Sequence, residues 1–316
     1  MKVGKLLLLV GALFLVAVEA RAAPPAVRYH TIKVEGVDMF YREAGSQQSH
    51  VILLLHGRQT SSHMFRDLIP LLSVRYRVIA PDLPSFGQSG TPSTTEFAYT
   101  FDHLAFMVAE FLKQLGIERY SLMMQDFGVP IGFRVASGAP ERVERLIIQN
   151  GVICDEQNRK AGWLEPFWAN RDAATEKRLR KSYELKTTIK YYQIGASKLD
   201  AIAPDAWVLS QYYLDQPGRH DAQVELMHDF ASNRTHFVDW QTYLRKYQPP
   251  TLVLWGKDSP IYSVEHAECY CQANPATIIR VFNGGHFLLE EYFAEAASEI
   301  FKLRYKTRGR KSAAGH

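Results

Sequence analysis

Short apolar runs recur along the first half of the chain, separated by segments whose apolar positions have a helical spacing. Apolar runs of this kind are typical of strands buried on both faces of a parallel sheet. A hairpin around Glu35-Gly36 precedes them. The predicted strands are Val51–Leu55, Tyr76–Ala80, Tyr120–Met124 and Val143–Asn150, and the predicted helices are Ser61–Ile69, Thr100–Leu115 and Val129–Ala136. This alternation predicts an α/β protein with a doubly wound, mostly parallel sheet.

The pattern changes between residues 151 and 248, where helical periods dominate and aromatic residues are dense. Strand-like runs return at Pro249–Gly256 and Ala276–Phe282, and a closing helix is predicted from Glu290 to about Arg304. We therefore expect a helical cap, residues 151–248, inserted into one core domain formed by residues 24–150 and 249–303.

The N-terminus has the pattern of an export signal. Lys2 and Lys5 precede an unbroken apolar run from Leu6 to Val18, and small residues follow it. The run is shorter than the ~20 residues that a membrane-spanning helix needs. We expect residues 1–23 to be a cleavable signal peptide that directs the protein to the periplasm or the extracellular space and leaves no stable membrane span. An uncleaved anchor is the alternative.

Composition and charge change this picture little. The 316 residues are 47% hydrophobic and 22% charged, which is ordinary for a globular protein, and the formal net charge is +4. Six basic residues lie between Lys302 and Lys311, so residues 304–316 are predicted to be a basic, disordered tail on a slightly acidic body. This distribution does not indicate a nucleic-acid enzyme.

The sequence gives no sign of a metal or cofactor site. It contains three cysteines, Cys154, Cys269 and Cys271, which do not suggest a disulfide framework. No group of histidines and cysteines has the spacing of zinc ligands, and there is no glycine-rich phosphate loop. We expect no cofactor and no metal.

The candidate chemistry begins where the strand Tyr120–Met124 ends in Gln-Asp-Phe-Gly and a helix follows at once. A sharp turn from strand to helix exposes one side chain above a parallel sheet, as in a nucleophile elbow, usually Gly-x-Ser-x-Gly. Here Asp126 is central and Met124 replaces the first glycine. A carboxylate is already ionised at neutral pH and can displace a leaving group from a saturated carbon, giving an ester that water then cleaves.

Together with other motifs, this elbow resembles the α/β-hydrolase family, in particular its epoxide hydrolase and haloalkane dehalogenase branch. The likeness runs from about Thr31 to Leu303. The matching motifs are His56-Gly57, Pro81-Asp82-Leu-Pro84-x-Phe-Gly87, Gln125-Asp126-Phe-Gly128, Trp255-Gly256 and Gly285-His286-Phe. The resemblance implies that Asp126 is the nucleophile, that His286 is the general base, and that the main-chain N–H groups of Arg58 and Phe127 form an oxyanion hole. It also implies a small apolar organic substrate.

Two departures from the family pattern bear on the site. Arg58-Gln59 stands where a proline turn is common, and Arg58 either recruits an anionic group of the substrate or is simply solvated. The acid that orients the base usually precedes the proline of Gly-x-x-Asp-Pro, but here Ser259 holds that place and Asp258 comes one residue earlier. We expect Asp258 to orient His286, with Ser259 as the alternative. Asn150 is neutral and cannot replace the acid.

The resemblance leaves three functions open. Related epoxide hydrolases protonate the developing alkoxide with cap tyrosines, and Tyr192 is the closest match, with Tyr212 or Tyr213 as a possible second. Related dehalogenases hold the halide with N–H donors, but Arg58 and Phe127 occupy those places, so a cap tryptophan would have to supply one. We therefore expect an epoxide hydrolase first and a haloalkane dehalogenase second. An impaired member that only binds small apolar molecules is the third possibility.

Overall fold

The centre of the molecule is an eight-stranded sheet, in a computed structural model that describes residues 25–154 and 162–305. The strands are β1 (Arg28–Val34), β2 (Val37–Ala44), β3 (Val51–Leu55), β4 (Arg77–Pro81), β5 (Tyr120–Gln125), β6 (Val143–Gln149), β7 (Thr251–Gly256) and β8 (Ile278–Phe282). Their spatial order is β1-β2-β4-β3-β5-β6-β7-β8. The first two strands pair antiparallel, as do β2 and β4, and the remaining pairs are parallel. This confirms the predicted α/β class and mostly parallel sheet.

Helices cover both faces of the sheet and also fill the chain between β6 and β7. They are α1 (Leu68–Leu72), α2 (Phe101–Gln114), α3 (Gly128–Gly138), α4 (Glu165–Ala169), α5 (Ala173–Arg180), α6 (Leu185–Gln193), α7 (Pro204–Leu214), α8 (Arg219–Asp229), α9 (Asn233–Tyr247), α10 (Glu265–Ala273) and α11 (Leu289–Lys302). Alternate residues of β3 point to opposite faces: Leu53 packs in the core that includes α2 and α3, and Leu54 packs in the core that includes α1 and α11. Both faces of β3 are dry, which is why its sequence is continuously apolar.

Between β6 and β7, the described chain contains only helices, α4 to α9. These helices form the cap inserted into the sheet domain. Arg219 at the start of α8 fastens the cap to the loop after β4, because its guanidinium donates hydrogen bonds to the carbonyl oxygens of Gly87 and Ser89 and to Oγ1 of Thr91.

A disulfide joins Cys154, just after β6, to Cys269 on α10, whereas Cys271 is a free thiol. The expectation that the cysteines form no disulfide is therefore wrong. The two bonded residues are 115 positions apart, and only the packing of α10 beside the end of β6 brings them together. Cysteine spacing along the chain does not carry that information.

Several predictions fall on residues outside the described ranges: the signal peptide at 1–23, most of the basic tail at 304–316, and the start of the cap at 155–161. Among the helices of residues 25–154 and 162–305, none combines the length and the apolar character required to cross a membrane.

Candidate active site

The turn between β5 and α3 has the geometry of a nucleophile elbow. Asp126 adopts a φ of 49°, a left-handed conformation that costs energy for a residue with a side chain and that points the carboxylate away from the sheet. Gly128 is required because a Cβ there would lie 2.5 Å from the carbonyl oxygen of Leu55. The side chain of Met124 occupies space that Gly132 leaves open, since a Cβ on Gly132 would lie 2.0 Å from its sulfur. Gly132 thus explains how the turn accommodates a methionine in place of the usual first glycine.

The Asp126 carboxylate is held from three sides. Its Oδ1 accepts a hydrogen bond of 2.9 Å from the main-chain N–H of Arg58. Its Oδ2 accepts one of 3.1 Å from the Tyr262 hydroxyl and lies 3.6 Å from Nε2 of His286. The structure therefore brings together Asp126, His286 and the backbone of Arg58, residues that lie far apart in the sequence.

His286 is almost fully buried, and both ring nitrogens have partners. Its Nδ1 lies 3.3 Å from Oγ of Ser259, and its Nε2 lies 2.9 Å from Nε2 of Gln125. Because the Gln125 amide donates a proton to Nε2 of the imidazole, the ring's own proton lies on Nδ1, facing Ser259. This is the tautomer that a general base acting through Nε2 needs. Burial lowers the pKa of His286, while Asp126 acts to raise it and Arg58 to lower it further. The imidazole is therefore neutral at neutral pH.

Asp258 does not orient His286, so this expectation is corrected. Its side chain is exposed, and its main-chain N–H donates to the carbonyl oxygen of Gly284 at 3.1 Å. The turn after β7 buries Ser259 instead and directs its hydroxyl to the imidazole. Asn150 is also occupied elsewhere, because its amide exchanges two hydrogen bonds with the backbone of Gly256. Among the described residues, no carboxylate is hydrogen-bonded to Nδ1 of His286.

The loop after β3 reaches its position without a proline turn. No peptide bond in the described ranges is cis, and Gln59 adopts a φ of 55°. Side chains of the loop are tied to the cap at Ser182: Nη2 of Arg58 donates to its hydroxyl at 2.8 Å, and Nε2 of Gln59 donates to its carbonyl at 3.0 Å. Beneath the loop, buried His56 accepts from the N–H of Leu83 and lies 2.9 Å from the carbonyl of Gly57. The missing proline is thus replaced by side-chain contacts.

Phe127, the second predicted oxyanion residue, lies at the N-terminus of α3, where the N–H groups of the first turn have no partner within the helix. Its ring lies against Phe101 and Phe230, with centroids 5.0 Å and 5.5 Å away. The side chain therefore forms part of an apolar wall and offers no hydrogen-bond donor.

A cavity of about 280 Å³ lies between the sheet and the cap, and Asp126 and His286 open into it. The wall is largely apolar, including Phe127, Leu164, Ile194, Met227, Phe230 and Phe287. Its polar members include Arg58, Lys190, Tyr191 and Tyr262. A mostly apolar, concave site with a few convergent polar groups is typical of small-molecule binding.

Tyr192 does not line this cavity, so its predicted role is corrected as well. Its hydroxyl lies 2.8 Å from Oγ of Ser210, its ring stacks on Phe287 at 4.0 Å, and burial raises its pKa. Tyr191 is the tyrosine of α6 that faces the cavity. Neighbouring positions on a helix point in directions that differ by about 100°, and the sequence pattern did not decide between the two.

The cap tryptophans that a halide site would need are engaged or lie elsewhere. Nε1 of Trp168 donates to the carbonyl oxygen of Met227 at 2.7 Å. Trp207 packs against Tyr192, behind the cavity wall. The side chain of Trp163 lies outside the description.

Sequence reasoning missed three residues of the site: Gln125, Tyr191 and Tyr262. Gln125 directly precedes Asp126, so its place at the end of β5 could have suggested a role. Tyr262 follows an irregular turn after Ser259, and nothing in the local sequence predicts that its hydroxyl reaches Asp126.

Comparison with known proteins agrees with this fold. Residues 50–292 match the family model described as the alpha/beta hydrolase fold, and the chain belongs to this family. It is 36% identical over 282 residues to an uncharacterized hydrolase of Saccharomyces cerevisiae, covering 87% of this chain and 97% of the yeast protein. It is 27% identical over 299 residues to a haloalkane dehalogenase of Mycobacterium marinum, covering 86% and 92% of the two chains.

Among solved structures, the epoxide hydrolase CorEH without ligand superposes with a TM-score of 0.74 at 19% identity, covering 88% of this chain and 98% of the other. At this identity the likeness establishes the fold alone. The class of the protein is thus an α/β hydrolase, with relatives named for dehalogenase activity and a structural neighbour named for epoxide hydrolysis.

Proposed function

We propose that this hydrolase opens an epoxide to a diol through a covalent ester on Asp126. The observation that carries the proposal is the position of the Asp126 carboxylate, at a strained elbow beneath a cavity, with Oδ1 on the Arg58 N–H and Oδ2 beside His286. A carboxylate in that position can attack a saturated carbon, and the neighbouring imidazole can activate the water that releases the product.

The reaction has two steps. Asp126 attacks an epoxide carbon and the carbon–oxygen bond breaks, while the Tyr191 hydroxyl gives its proton to the departing oxygen. His286 then takes a proton from water once the Gln125 amide has made way for that water at Nε2. The hydroxide adds to the ester carbonyl carbon, and N–H groups of Arg58 and Phe127 stabilise the oxyanion. Collapse breaks the bond to the alkyl oxygen, and the added hydroxyl passes its proton to that oxygen, which releases the diol and restores the carboxylate. The imidazolium proton then replaces the one lost by Tyr191.

Tyr191 favours the epoxide over the halide as substrate, because it is a hydroxyl donor of the cap that lines the same cavity as Asp126. Removal of a halide needs donors that hold the leaving anion. Phe127 offers none in its side chain and the Trp168 N–H is bonded to a carbonyl, so, among the described residues, Arg58 would have to hold the anion without a tryptophan donor beside it. Haloalkane dehalogenation remains the second candidate because relatives such as the Mycobacterium marinum protein bear that name.

Intact mass measurement of the covalent ester tests the reaction and separates the two candidates. A His286→Gln variant should accumulate the ester, because formation needs only the nucleophile whereas hydrolysis needs the base. An epoxide adds its full mass to Asp126, whereas a haloalkane adds its mass less hydrogen halide. Asp126→Asn is the matched control and should give no adduct.

If neither epoxides nor haloalkanes give an adduct on Asp126, the reaction proposal is wrong. Compounds that still bind in the cavity would then support the third possibility, a hydrolase relative that only binds small molecules.

We also propose that the protein is exported, with residues 1–23 as a cleaved signal. The Cys154–Cys269 disulfide supports this, because such bonds persist in oxidising compartments and are rare in the cytosol. N-terminal sequencing of the protein recovered from the periplasm or the medium is the test, and an intact Met1 on cytosolic protein would contradict it.

A further inference from the structure

Arg58 lines the cavity, and no carboxylate among the described residues pairs with its guanidinium. Within residues 25–154 and 162–305, its Nη2 donates to the neutral hydroxyl of Ser182 at 2.8 Å, and its Nε is buried with no hydrogen-bond partner. The rings of Tyr183 and Tyr191 lie 5.2 Å and 6.0 Å from the guanidinium carbon. Neutral groups stabilise a buried cation only in part, so an anion in the cavity would complete this environment.

The charges around the cavity do not balance when a neutral substrate is bound. Arg58 and Lys190 are cationic, Asp126 is the single lining carboxylate among the described residues, and His286 is neutral. Burial acts to lower the pKa of Arg58, but Tyr191, Tyr183 and Asp126 outweigh it and raise that pKa. The guanidinium therefore stays charged at every working pH.

We infer that the natural substrate carries a carboxylate, which the guanidinium of Arg58 binds. The inference rests on the proposed function, and it narrows the substrate to an epoxide that bears a carboxylate a few bonds from the reacting carbon. Arg58 sets the distance between the reacting carbon and the substrate carboxylate. Its main-chain N–H binds the Asp126 carboxylate, while its side chain extends to Ser182 in the cap. The planar guanidinium matches a carboxylate with two parallel hydrogen bonds.

Arg58 also offsets the repulsion between the substrate carboxylate and Asp126. A carboxylate close to ionised Asp126 is repelled, and in a mostly apolar cavity the repulsion is stronger than in water. A cation near both groups offsets it. Lys190 is exposed at the cavity wall, where a positive charge attracts an anion toward the entrance.

The test compares an epoxide carboxylic acid with its primary amide, which has nearly the same shape and no charge. In the wild-type protein, kcat/KM should be higher for the acid by on the order of tenfold or more. In Arg58→Met the ratio of acid to amide should fall below one, and Arg58→Lys should give an intermediate ratio because it keeps the charge and loses the paired donors.

Arg75→Met is the matched control for loss of one arginine. Its guanidinium lies over Phe301, before β4 begins, whereas the site lies at the carboxyl ends of the strands. The ratio should not change in this variant. The same ratio in wild type and Arg58→Met overturns the inference, provided that circular dichroism shows both to be folded.

A binding measurement separates this inference from the proposed reaction. Calorimetric titration with hexanoate and hexanamide, which cannot react, should show tighter binding of hexanoate, lost in Arg58→Met. If no epoxide forms an ester but hexanoate binding depends on Arg58, the reaction is wrong and the anion site stands. If epoxides react but hexanoate binds no better than hexanamide, the anion site is wrong and the reaction stands.

Discussion

Nδ1 of His286 lies 3.3 Å from Oγ of Ser259, so a hydroxyl rather than a carboxylate orients the imidazole that we propose as the base. A carboxylate at this place stabilises the imidazolium that forms when the base takes a proton, and a neutral hydroxyl does so only weakly. Burial also lowers the pKa of His286, so it disfavours the imidazolium as well. We therefore expect hydrolysis of the covalent ester, rather than its formation, to limit turnover.

Ser259→Asp should accelerate ester hydrolysis by on the order of tenfold or more, because it places a carboxylate against Nδ1 of the imidazole. Ser259 also accepts main-chain hydrogen bonds from Ile261 and Tyr262, which an aspartate can keep. The measurement is the single-turnover decay of the alkyl-enzyme, followed by mass. Asp258→Asn is the control and should leave the decay unchanged, since that side chain is exposed. A decay no faster in Ser259→Asp than in wild type would refute this account.

The acid limb of ester hydrolysis should lie below pH 6.5 in the wild-type protein. His286 must be neutral to act as base, and burial lowers its pKa from that ordinary value, so activity persists as the pH falls through 6.5 and is lost only below it. Ser259→Asp should move the limb to higher pH, because the added carboxylate favours the protonated ring. Single-turnover rates measured between pH 4 and 8, at intervals of about half a pH unit, give the acid limb of the wild-type protein and of the variant. A wild-type limb above pH 6.5 would contradict the burial argument.

Tyr191→Phe and Tyr192→Phe form a matched pair at consecutive positions of α6. Tyr191→Phe should slow ester formation from an epoxide by about 10²–10⁴-fold, because the departing oxygen loses its proton donor. Tyr192→Phe should keep the rate but lower the free energy of unfolding by about 1 kcal/mol, because it loses a buried hydrogen bond to Ser210. Rapid-quench rates and urea unfolding measure the two effects. The reverse pattern would mean that Tyr192 is the acid after all.

Reduction of the Cys154–Cys269 disulfide should lower the free energy of unfolding by about 2–5 kcal/mol, because the bond closes a long loop in the unfolded chain. The bond joins residues 115 positions apart and ties the chain entering the cap to α10. Thiol titration in denaturant should find one thiol before reduction and three after it. Cys154→Ser should reproduce the loss of stability, and Cys271→Ser should not. Three thiols in the untreated exported protein would contradict the bond.

The sequence by itself determined the sheet, the helices between β6 and β7, and the elbow that carries Asp126, the proposed nucleophile. Apolar runs between helical periods correspond to β3 to β8. The pattern is clearest in β3, which is buried on both faces and is apolar at every position. Asp126 was predicted because the strand, the turn and the glycine that makes the turn possible are contiguous. His286 was predicted through a motif at a fixed place in the order of elements.

Only the tertiary structure decided which side chains complete the site. Asp258 and Ser259 are neighbours, as are Tyr191 and Tyr192, and in each pair one residue faces the site while the other does not. The conformation of the turn after β7 determines which residue of the first pair faces the site, and the rotation of α6 about its axis determines this for the second pair. Both depend on packing against distant segments. The Tyr262–Asp126 hydrogen bond and the Cys154–Cys269 disulfide likewise join residues more than a hundred positions apart. Local patterns carry the periodicity of an element, whereas contacts between elements arise only when the chain is folded.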